Sequence, residues 1–486
     1  MKNLVYFIVI FYNITAFAQT NLILNGDFEN NLSSPNSNTK PNVIFIFADD
    51  LGWGDLSCYG GDRIKTKSLD RLATEGTLFT QFYVPGSVCS PSRVGIMTGQ
   101  YPSRNRIYGH FSKTKNDERQ MPNALDTNIT TLTDILSSNG YITAHFGKWH
   151  MGNVSPKEYG VDVFSTNEFS NLDDGEKLLG FHAVNRPTCT KDVFDKTLEF
   201  IEKNKDKPFY INAWLFDVHA TLRPSKEQLD AVSKFKPFDD PDIENSESIN
   251  FFGVEQVYLA ALKNMDNEIG IFLDKLNQMG LSENTLIIFS SDNGPEDYQI
   301  RNSAHSGVGS AGPFRGRKRS LYEGGIRVPF ILKWPNKIPS GTVNSESIIN
   351  GVDFIPTITD ILGFSLPENI QALDGENLSD VWLGSPKKRM KPLFWEWRYN
   401  IFGHVLNKSP MIAVRRGNYK LLINPDGTRG ELYNIILDPS ELQNLATIYP
   451  DVFEELKVEA LNWYATIPTS PQTTNAGNND WNWPKM

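Results

Sequence analysis

The sequence predicts an α/β fold: a parallel, doubly wound sheet between helices, followed by a small antiparallel unit. Three observations predict it. Short continuous apolar runs recur between segments of helical periodicity, the pattern of strands buried on both faces that alternate with helices. Each run leads into a polar cluster, and open α/β sheets hold their ligands at the carboxyl ends of strands. Beyond about residue 370 the pattern changes to two short runs around Gly417-Asn418, a two-residue hairpin signal.

The elements follow in order. Residues 43–47 form an apolar strand leading to Asp49-Asp50. Residues 68–75 put Leu69, Leu72 and Ala73 on one side of a short helix that Gly76 closes. Residues 131–138 repeat that pattern and stop at Asn139-Gly140. A strand over 141–146 runs into Gly147-Lys148-Trp149-His150, and one over 209–216 into Asp217-Val218-His219. A long helix covers 257–276. A further strand, 286–290, ends in Ser291-Asp292-Asn293-Gly294. Strands over 411–416 and 419–423 flank the hairpin, Asn424-Pro425-Asp426-Gly427 turns the chain again, and 452–464 reads as a closing helix. No internal repeat is visible.

With 486 residues and 40% apolar composition, the chain has room for one large domain and a smaller one. Lys2, a short apolar stretch over 4–11 and Ala16-Phe17-Ala18 read as a signal peptide over residues 1–18. The apolar stretch is too short to span a membrane, and no cysteine follows the cleavage site to carry a lipid. The expectation is an exported protein, periplasmic or secreted, without a membrane anchor. Residues 19–40, rich in Asn, Ser and Pro, read as a linker. A formal net charge of −10 argues against nucleic acid as the partner. It also requires a local basic pocket for any anionic substrate. Cys58, Cys89 and Cys189 form no disulfide framework. With Cys89 set aside, a Cys58–Cys189 bridge and two buried thiols both remain open.

Asp49, Asp50, Asp292 and Asn293 each follow a buried strand. Two such strands side by side converge three carboxylates and an amide oxygen. That all-oxygen set suits a hard cation, calcium before magnesium because no strict octahedron is implied. Three carboxylates outweigh a divalent charge, so Lys or Arg must stand nearby. Either pair alone reads as a turn or cap; both at strand ends read as a metal site.

Cys89-Ser90-Pro91-Ser92-Arg93 resembles the Cys-x-Pro-Ser-Arg tag in which a sulfatase cysteine is oxidised to formylglycine. Further matching segments are Asp49-Asp50-Leu51-Gly52-Trp53-Gly54-Asp55, Thr98-Gly99-Gln100-Tyr101-Pro102, Gly147-Lys148-Trp149-His150, the strand ending in His219, Ser291-Asp292-Asn293-Gly294, and Lys318 with Glu323-Gly324-Gly325-Ile326-Arg327-Val328-Pro329. Over residues 41–465, in order, the chain is similar to the type I, formylglycine-dependent sulfatases, and resembles exported polysaccharide sulfatases of marine bacteria. The resemblance implies an alkaline-phosphatase-like fold, a mixed or parallel sheet sandwiched by helices. It implies a catalytic domain over 41–370 and a C-terminal α+β subdomain with an antiparallel sheet over 371–486.

The resemblance also implies roles. Cys89, converted to formylglycine (3-oxoalanine) by a formylglycine-generating maturation enzyme, is the nucleophile. Its hydrated aldehyde has one hydroxyl to attack sulfur and a second to expel sulfate later. One calcium ion per chain is held by Asp49, Asp50, Asp292 and Asn293 and faces residue 89. Arg93 fixes the nucleophile and offsets charge near the metal. Lys148 and His150 contact nucleophile and sulfate. His219 and Lys318 bind sulfate near the leaving oxygen, with His219 as general acid. Pro91 is suited to a helix start whose N-terminus helps hold the anion. Arg315, Arg317 and Arg319 around Lys318 form a charge run of the kind usually found on a solvated face.

For the substrate, the aromatic content of 12% suits stacking on sugar rings. Trp395, Arg398 and His404, with Trp397, are expected to contact it, while Trp463 is expected to pack the C-terminal unit. The resemblance points to a sulfated poly- or oligosaccharide, algal polymers such as ulvan or carrageenan first, glycosaminoglycans second. A phosphonate or phosphodiester hydrolase on the same fold is the rival enzyme. A non-catalytic sugar-binding protein is disfavoured by the intact set Cys89, Arg93, Lys148, His150, His219 and Lys318.

Overall fold

The computed structural model describes residues 40–112, 114–172, 186–235, 253–297, 305–401 and 403–479. The expected signal peptide, and the expected linker up to residue 39, lie outside the described residues. The strands in chain order are β1 (Asn42–Ala48), β2 (Thr77–Tyr83), β3 (Ile142–Gly147), β4 (Val163–Thr166), β5 (Phe209–Trp214), β6 (Thr285–Ser291), β7 (Arg327–Lys333), β8 (Thr342–Asn344), β9 (Ile349–Asn350), β10 (Leu393–Glu396), β11 (Ile412–Arg416), β12 (Tyr419–Ile423) and β13 (Glu431–Asn434). The helices are α1 (Lys67–Thr74), α2 (Cys89–Thr98), α3 (Leu132–Ser138), α4 (Cys189–Asn204), α5 (Lys226–Asp230), α6 (Val254–Gln278), α7 (Glu323–Ile326), α8 (Phe354–Ile361), α9 (Ser379–Trp382) and α10 (Pro450–Thr466).

The large sheet has the order β4-β3-β5-β1-β6-β7-β2-β8, with β9 also on β2. β1 lies between β5 and β6, parallel to both, and all seven of its residues are buried. Its side chains alternate between two cores, as the two-residue strand period requires. Val43, Phe45 and Phe47 pack with α2, α3 and α8 on one face. Ile44, Ile46 and Ala48 pack with α1, α4 and α6 on the other. Burial on both faces is why this strand reads as an uninterrupted apolar run. The sheet is mixed rather than wholly parallel, because β7 runs antiparallel to both β6 and β2. Alternating strands and helices signal only the parallel part of the sheet.

β10 to β13 form a separate antiparallel sheet in sequential order. The β11–β12 turn is the expected two-residue one, with Arg416 opposite Tyr419 and Gly417 at φ +56. α10 covers it, placing Leu456 and Trp463 on Ile412, Val414 and Leu421. Trp463 stacks on Phe394 at 4.9 Å, so it packs the subdomain as expected. Among the described residues no helix is long and apolar enough to cross a membrane.

Candidate active site

The order β3-β5-β1-β6 sets four carboxyl ends side by side. Lys148 and His150 follow β3, Asp217 and His219 follow β5, Asp49 and Asp50 follow β1, and Asp292 and Asn293 follow β6. The ladder continues past the strands and fixes these residues. The Lys148 N–H donates to the Trp214 carbonyl at 2.8 Å, the Asp49 N–H to Asp217 at 3.0 Å, and the Asp292 N–H to Ala48 at 3.2 Å. Gly147, at φ +109, is the hinge of the β3 exit: a Cβ there would meet the Trp214 oxygen at 1.8 Å. Asp50 (φ +61) and His150 (φ +52) adopt left-handed backbone, which costs a non-glycine residue roughly 1–2 kcal/mol. For Asp50 the cost is offset by its N–H, which donates to Asp292 Oδ1 at 3.1 Å.

Cys89 opens α2, a helix whose ten residues are all buried. Val88 before it supplies no side-chain cap. The positive end of the helix dipole is therefore left for another partner. Pro91 sits in the first turn, where the N–H it lacks is not missed. The Cys89 sulfur and one ligating atom each of Asp49, Asp50 and His219 all lie within 4.8 Å of one another. Burial pushes the Cys89 thiol up to about 11, although Lys148 and Lys318 pull the other way.

Cations thread the carboxylates. Arg93, fully buried, donates to Asp292 Oδ2 through Nη2 at 2.7 Å and Nε at 3.1 Å, and to the Lys148 carbonyl at 3.1 Å. Its guanidinium lies 4.9 Å from the Trp214 ring. Lys148 Nζ donates to Asp49 Oδ2 at 2.6 Å. Lys318 Nζ straddles Asp50 at 2.6 and 2.8 Å, with Glu296 at 3.5 Å on its other side. His219 Nε2 stands 3.6 Å from Asp50 Oδ2, and its Nδ1 lies 2.6 Å from the Ala220 carbonyl oxygen. Burial, then Lys148, pushes the His150 imidazolium well below its ordinary range, so the ring is neutral.

The set fits a cation. Burial, then the Asp292 charge, pushes Asp49 up to about 7 despite Lys148. Asp49, Asp50 and Asp292 are matched one for one by Lys148, Lys318 and Arg93, so burial is the leading cause of that rise. Asp49 Oδ1 and Asn293 Oδ1 are buried without a hydrogen-bond partner, each a cost of about 1–3 kcal/mol. A hard cation would meet both oxygens. Of the expected ligands, Asp292 has both oxygens engaged, by Arg93 and the Asp50 amide. Asn293 turns its Nδ2 to Asp50 Oδ1 at 2.7 Å. His219 joins the cluster although the sequence placed it only on sulfate.

A sulfatase family model matches residues 41–364, and an N-sulphoglucosamine sulphohydrolase C-terminal model matches 312–462. The chain belongs to the sulfatase family. It is 31% identical to arylsulfatase A of Bos taurus over 407 residues, covering 79% of this chain and 74% of that protein. It is 27% identical to N-acetylgalactosamine-6-O-sulfatase of Bacteroides thetaiotaomicron over 503 residues, covering 86% and 92%. The fold matches the crystal structure of Ps i-CgsB in complex with k-i-k-neocarrahexaose. That match has a TM-score of 0.70 at 25% identity and covers 87% of this chain and 93% of that one. The protein is thus a sulfuric ester hydrolase, and its mixed sheet with a small C-terminal antiparallel sheet is the sulfatase architecture.

Two expected substrate residues of this sulfatase lie elsewhere. Trp395 is 1% exposed and donates Nε1–H to the Val84 carbonyl at 2.7 Å. Arg398, also 1% exposed, is ion-paired with Glu396 at 2.7 Å and stacked 4.0 Å over Tyr108. Both are packing residues that no sugar reaches. His404 is half-exposed and accepts the Leu406 N–H at 3.2 Å, capping a short turn. The charge run is not a solvated face either. Arg317 donates to the carbonyls of Glu296, Gly307 and Gly309, and Arg315 stacks 3.8 Å over Tyr322. These arginines staple loops whose carbonyls lie inside the protein. The three cysteines are thiols outside any disulfide; Cys189 donates its S–H to Asp217 at 3.3 Å.

Sequence reasoning missed Glu296. Lys318 and Arg319 hold its carboxylate down at about 2, against burial. Its only signal was an acid four residues beyond Asp292. A carboxylate with a depressed folded pKa stabilises above its unfolded value and loses that contribution as pH falls through the folded one. Stability should therefore decline between about pH 4.5 and 2, and Glu296→Gln should flatten that decline in thermal unfolding across pH. Equal slopes in both proteins would disprove the assignment.

A cavity of about 820 Å³ opens beside Lys148 and His150. A groove of equal volume, lined by Arg71, Asp274 and Lys333, lies at the opposite end of the sheet, where antiparallel β7 finishes.

Proposed function

We propose that this sulfatase hydrolyses sulfate esters on a sulfated carbohydrate, with a formylglycine nucleophile made from Cys89 and one calcium ion at the strand ends. The observation that carries the reading is the buried nest in which Asp49, Asp50, Lys148, Lys318 and Arg93 gather around Cys89 at the uncapped start of α2. A thiol held near 11 is a poor nucleophile at neutral pH, which favours oxidation of residue 89 before use. Asp49, Asp50, Asp292 and Asn293 would hold the calcium. When bound, calcium and the hydrated formylglycine supply charge stabilisation at the sulfuryl oxygens and the attacking hydroxyl.

The chain's own groups do the rest. Lys148 and Lys318 pair with Asp49 and Asp50 and stand ready to meet sulfate oxygens. Arg93 anchors Asp292 and, through the Lys148 carbonyl, the exit of β3. His219, with Nδ1 against the Ala220 carbonyl oxygen, presents Nε2 as the acid for the departing sugar oxygen. His150, kept neutral by burial and Lys148, offers hydrogen bonds rather than charge to the nucleophile and sulfate.

An algal polysaccharide such as ulvan or carrageenan, or its oligosaccharides, is the preferred substrate class; the similar structure bound to neocarrahexaose supports it. A glycosaminoglycan is the second reading. The match to the N-sulphoglucosamine sulphohydrolase C-terminal model and the Bacteroides relative support that one. The signal-like N-terminus supports export to the periplasm or beyond, and a formylglycine-generating enzyme is the implied maturation partner.

The mass of the peptide containing residue 89, from protein made with and without a maturing enzyme, tests the nucleophile. Conversion of thiol to aldehyde in the active protein supports it; an intact thiol in fully active protein overturns it. Sulfate release from a panel of ulvan, carrageenan and glycosaminoglycan oligosaccharides separates the substrate readings. Calcium at about 100 times its Kd should add about 2.7 kcal/mol of stability. Thermal unfolding with calcium and with chelator reads this directly, and identical curves would count against the cation.

A further inference from the structure

On the α1–α6 side of the large sheet lies a groove of about 500 Å³ that shares no residue with the active site. The start of α1, the turn after α5 and the middle of α6 form its walls. They bring four lysines, Lys65, Lys67, Lys234 and Lys263, against one carboxylate, Asp266. Asp266 is already engaged: it accepts the Ser68 N–H at 3.1 Å and the Leu69 N–H at 2.9 Å. Lys263 donates to the Ala231 carbonyl at 2.9 Å and so ties two walls together. Lys65, Lys67 and Lys234 are exposed. Neighbouring cations are paired, Arg71 with Asp274 at 2.7 Å and Lys226 with Asp230 at 3.1 Å. Among the described residues no carboxylate pairs with any of the four groove lysines. Like charges gathered on one groove repel one another, and in a chain of net charge −10 they make a local positive field. A polyanion would turn that repulsion into attraction.

The walls leave the carboxyl edge of the sheet, where the reaction takes place. The chain reaches Lys65 fifteen residues after Asp50, and Ala231 twelve residues after His219. Twelve residues span at most about 42 Å. α6 leads into β6, which is parallel to β1, so α6 starts at the carboxyl edge and runs away from it. Lys263, nine residues beyond Val254, stands about 14 Å along that helix. We infer that this groove is a second docking surface for the sulfated polysaccharide. It binds sulfate groups on a stretch of the chain other than the one being cleaved, with Lys65, Lys67 and Lys234 as the anion contacts. The inference rests on the sulfated-carbohydrate reading above and adds a preference to it: long chains, whose sulfates repeat, are held better than fragments. Contacts between exposed charges are screened by salt, so the docking weakens as ionic strength rises.

Binding of soluble carrageenan and of desulfated carrageenan at low salt tests this, with 4-nitrophenyl sulfate turnover as the measure of an intact active site. The triple variant Lys65→Gln, Lys67→Gln, Lys234→Gln should bind carrageenan about tenfold more weakly than the wild type. Its turnover of 4-nitrophenyl sulfate should be unchanged. Raising the salt to about 1 M, where the screening length is only about 3 Å, should close the gap between the two proteins. Desulfated carrageenan should not distinguish them. Equal affinities for carrageenan, a gap that the desulfated polymer reproduces, or a parallel loss of 4-nitrophenyl sulfate turnover overturns the proposal. Failure of the carbohydrate reading looks different: the wild type would then release sulfate from no sulfated oligosaccharide, whatever the affinities for the polymer.

Discussion

Replacing Cys89 with alanine lowers sulfate-ester turnover on the order of 10⁴-fold or more, the loss expected when a covalent nucleophile is removed. The fold should survive. Cys89 is in no disulfide, and alanine at the first position of α2 suits a helix as well as cysteine does. Initial rates on a sulfated oligosaccharide, with circular dichroism to confirm folding, check the prediction. Full activity in the alanine variant would end the proposed mechanism. Serine is the sharper probe. A serine hydroxyl can attack sulfur once but has no second hydroxyl to expel the sulfate. Cys89→Ser should release about one equivalent of alcohol per chain and stall. Steady turnover by the serine variant would show that the second hydroxyl is dispensable.

The parts of this site legible in the sequence share one physical cause. β1, β5 and β6 are buried on both faces, so they read as continuous apolar runs, and whatever follows them stands at the carboxyl edge of the sheet. Asp49, Asp50, His219, Asp292 and Asn293 are therefore legible at one edge from the sequence. β2 and β7 escaped. Thr77–Tyr83 mixes Thr and Gln into its aromatic residues, and the long connection from β6 to β7 contains only the four-residue α7 as a helix among its described residues. Trp395 and Arg398 were misplaced because an aromatic ring and a guanidinium suit a sugar and a packed interior equally well. What decides is burial, here imposed by Val84 and Tyr108, residues nearly 300 positions away. Glu296 had no local pattern, since its partners Lys318 and Arg319 come from another segment.

Lys420→Met should be the most destabilising single change outside the active site, by about 3–5 kcal/mol, the usual cost of stranding a buried charge. Lys420, fully buried on β12, lies 2.9 Å from Glu323 Oε1 and 3.0 Å from Glu441 Oε1. The two acids differ in what remains when the lysine goes. Glu323 keeps Arg327 at 3.2 Å and the Tyr83 hydroxyl, which with Lys420 hold it at about 2 against burial. Glu441 keeps the Glu323 N–H on its Oε2, at 2.6 Å. Burial, then the Glu323 charge, already pushes it up to about 7 despite Lys420. A carboxyl raised in the folded state contributes fully below its unfolded pKa and loses that contribution as pH rises through the folded one. The deficit of Lys420→Met should therefore grow from pH 5 to pH 8. Adding Glu441→Gln should recover much of it, because the stranded charge is then gone. Thermal unfolding of the single and double variants at the two pH values reads both effects, with a shift of about 3–5 °C for the single variant in a chain of this length. A deficit independent of pH and untouched by Glu441→Gln would place the role of Lys420 in packing alone. The stakes reach the active site. Glu441 receives the Glu323 amide at the start of α7, only five residues beyond Lys318. The cluster that joins the small sheet to the large one thereby also sets the base of the loop that carries Lys318.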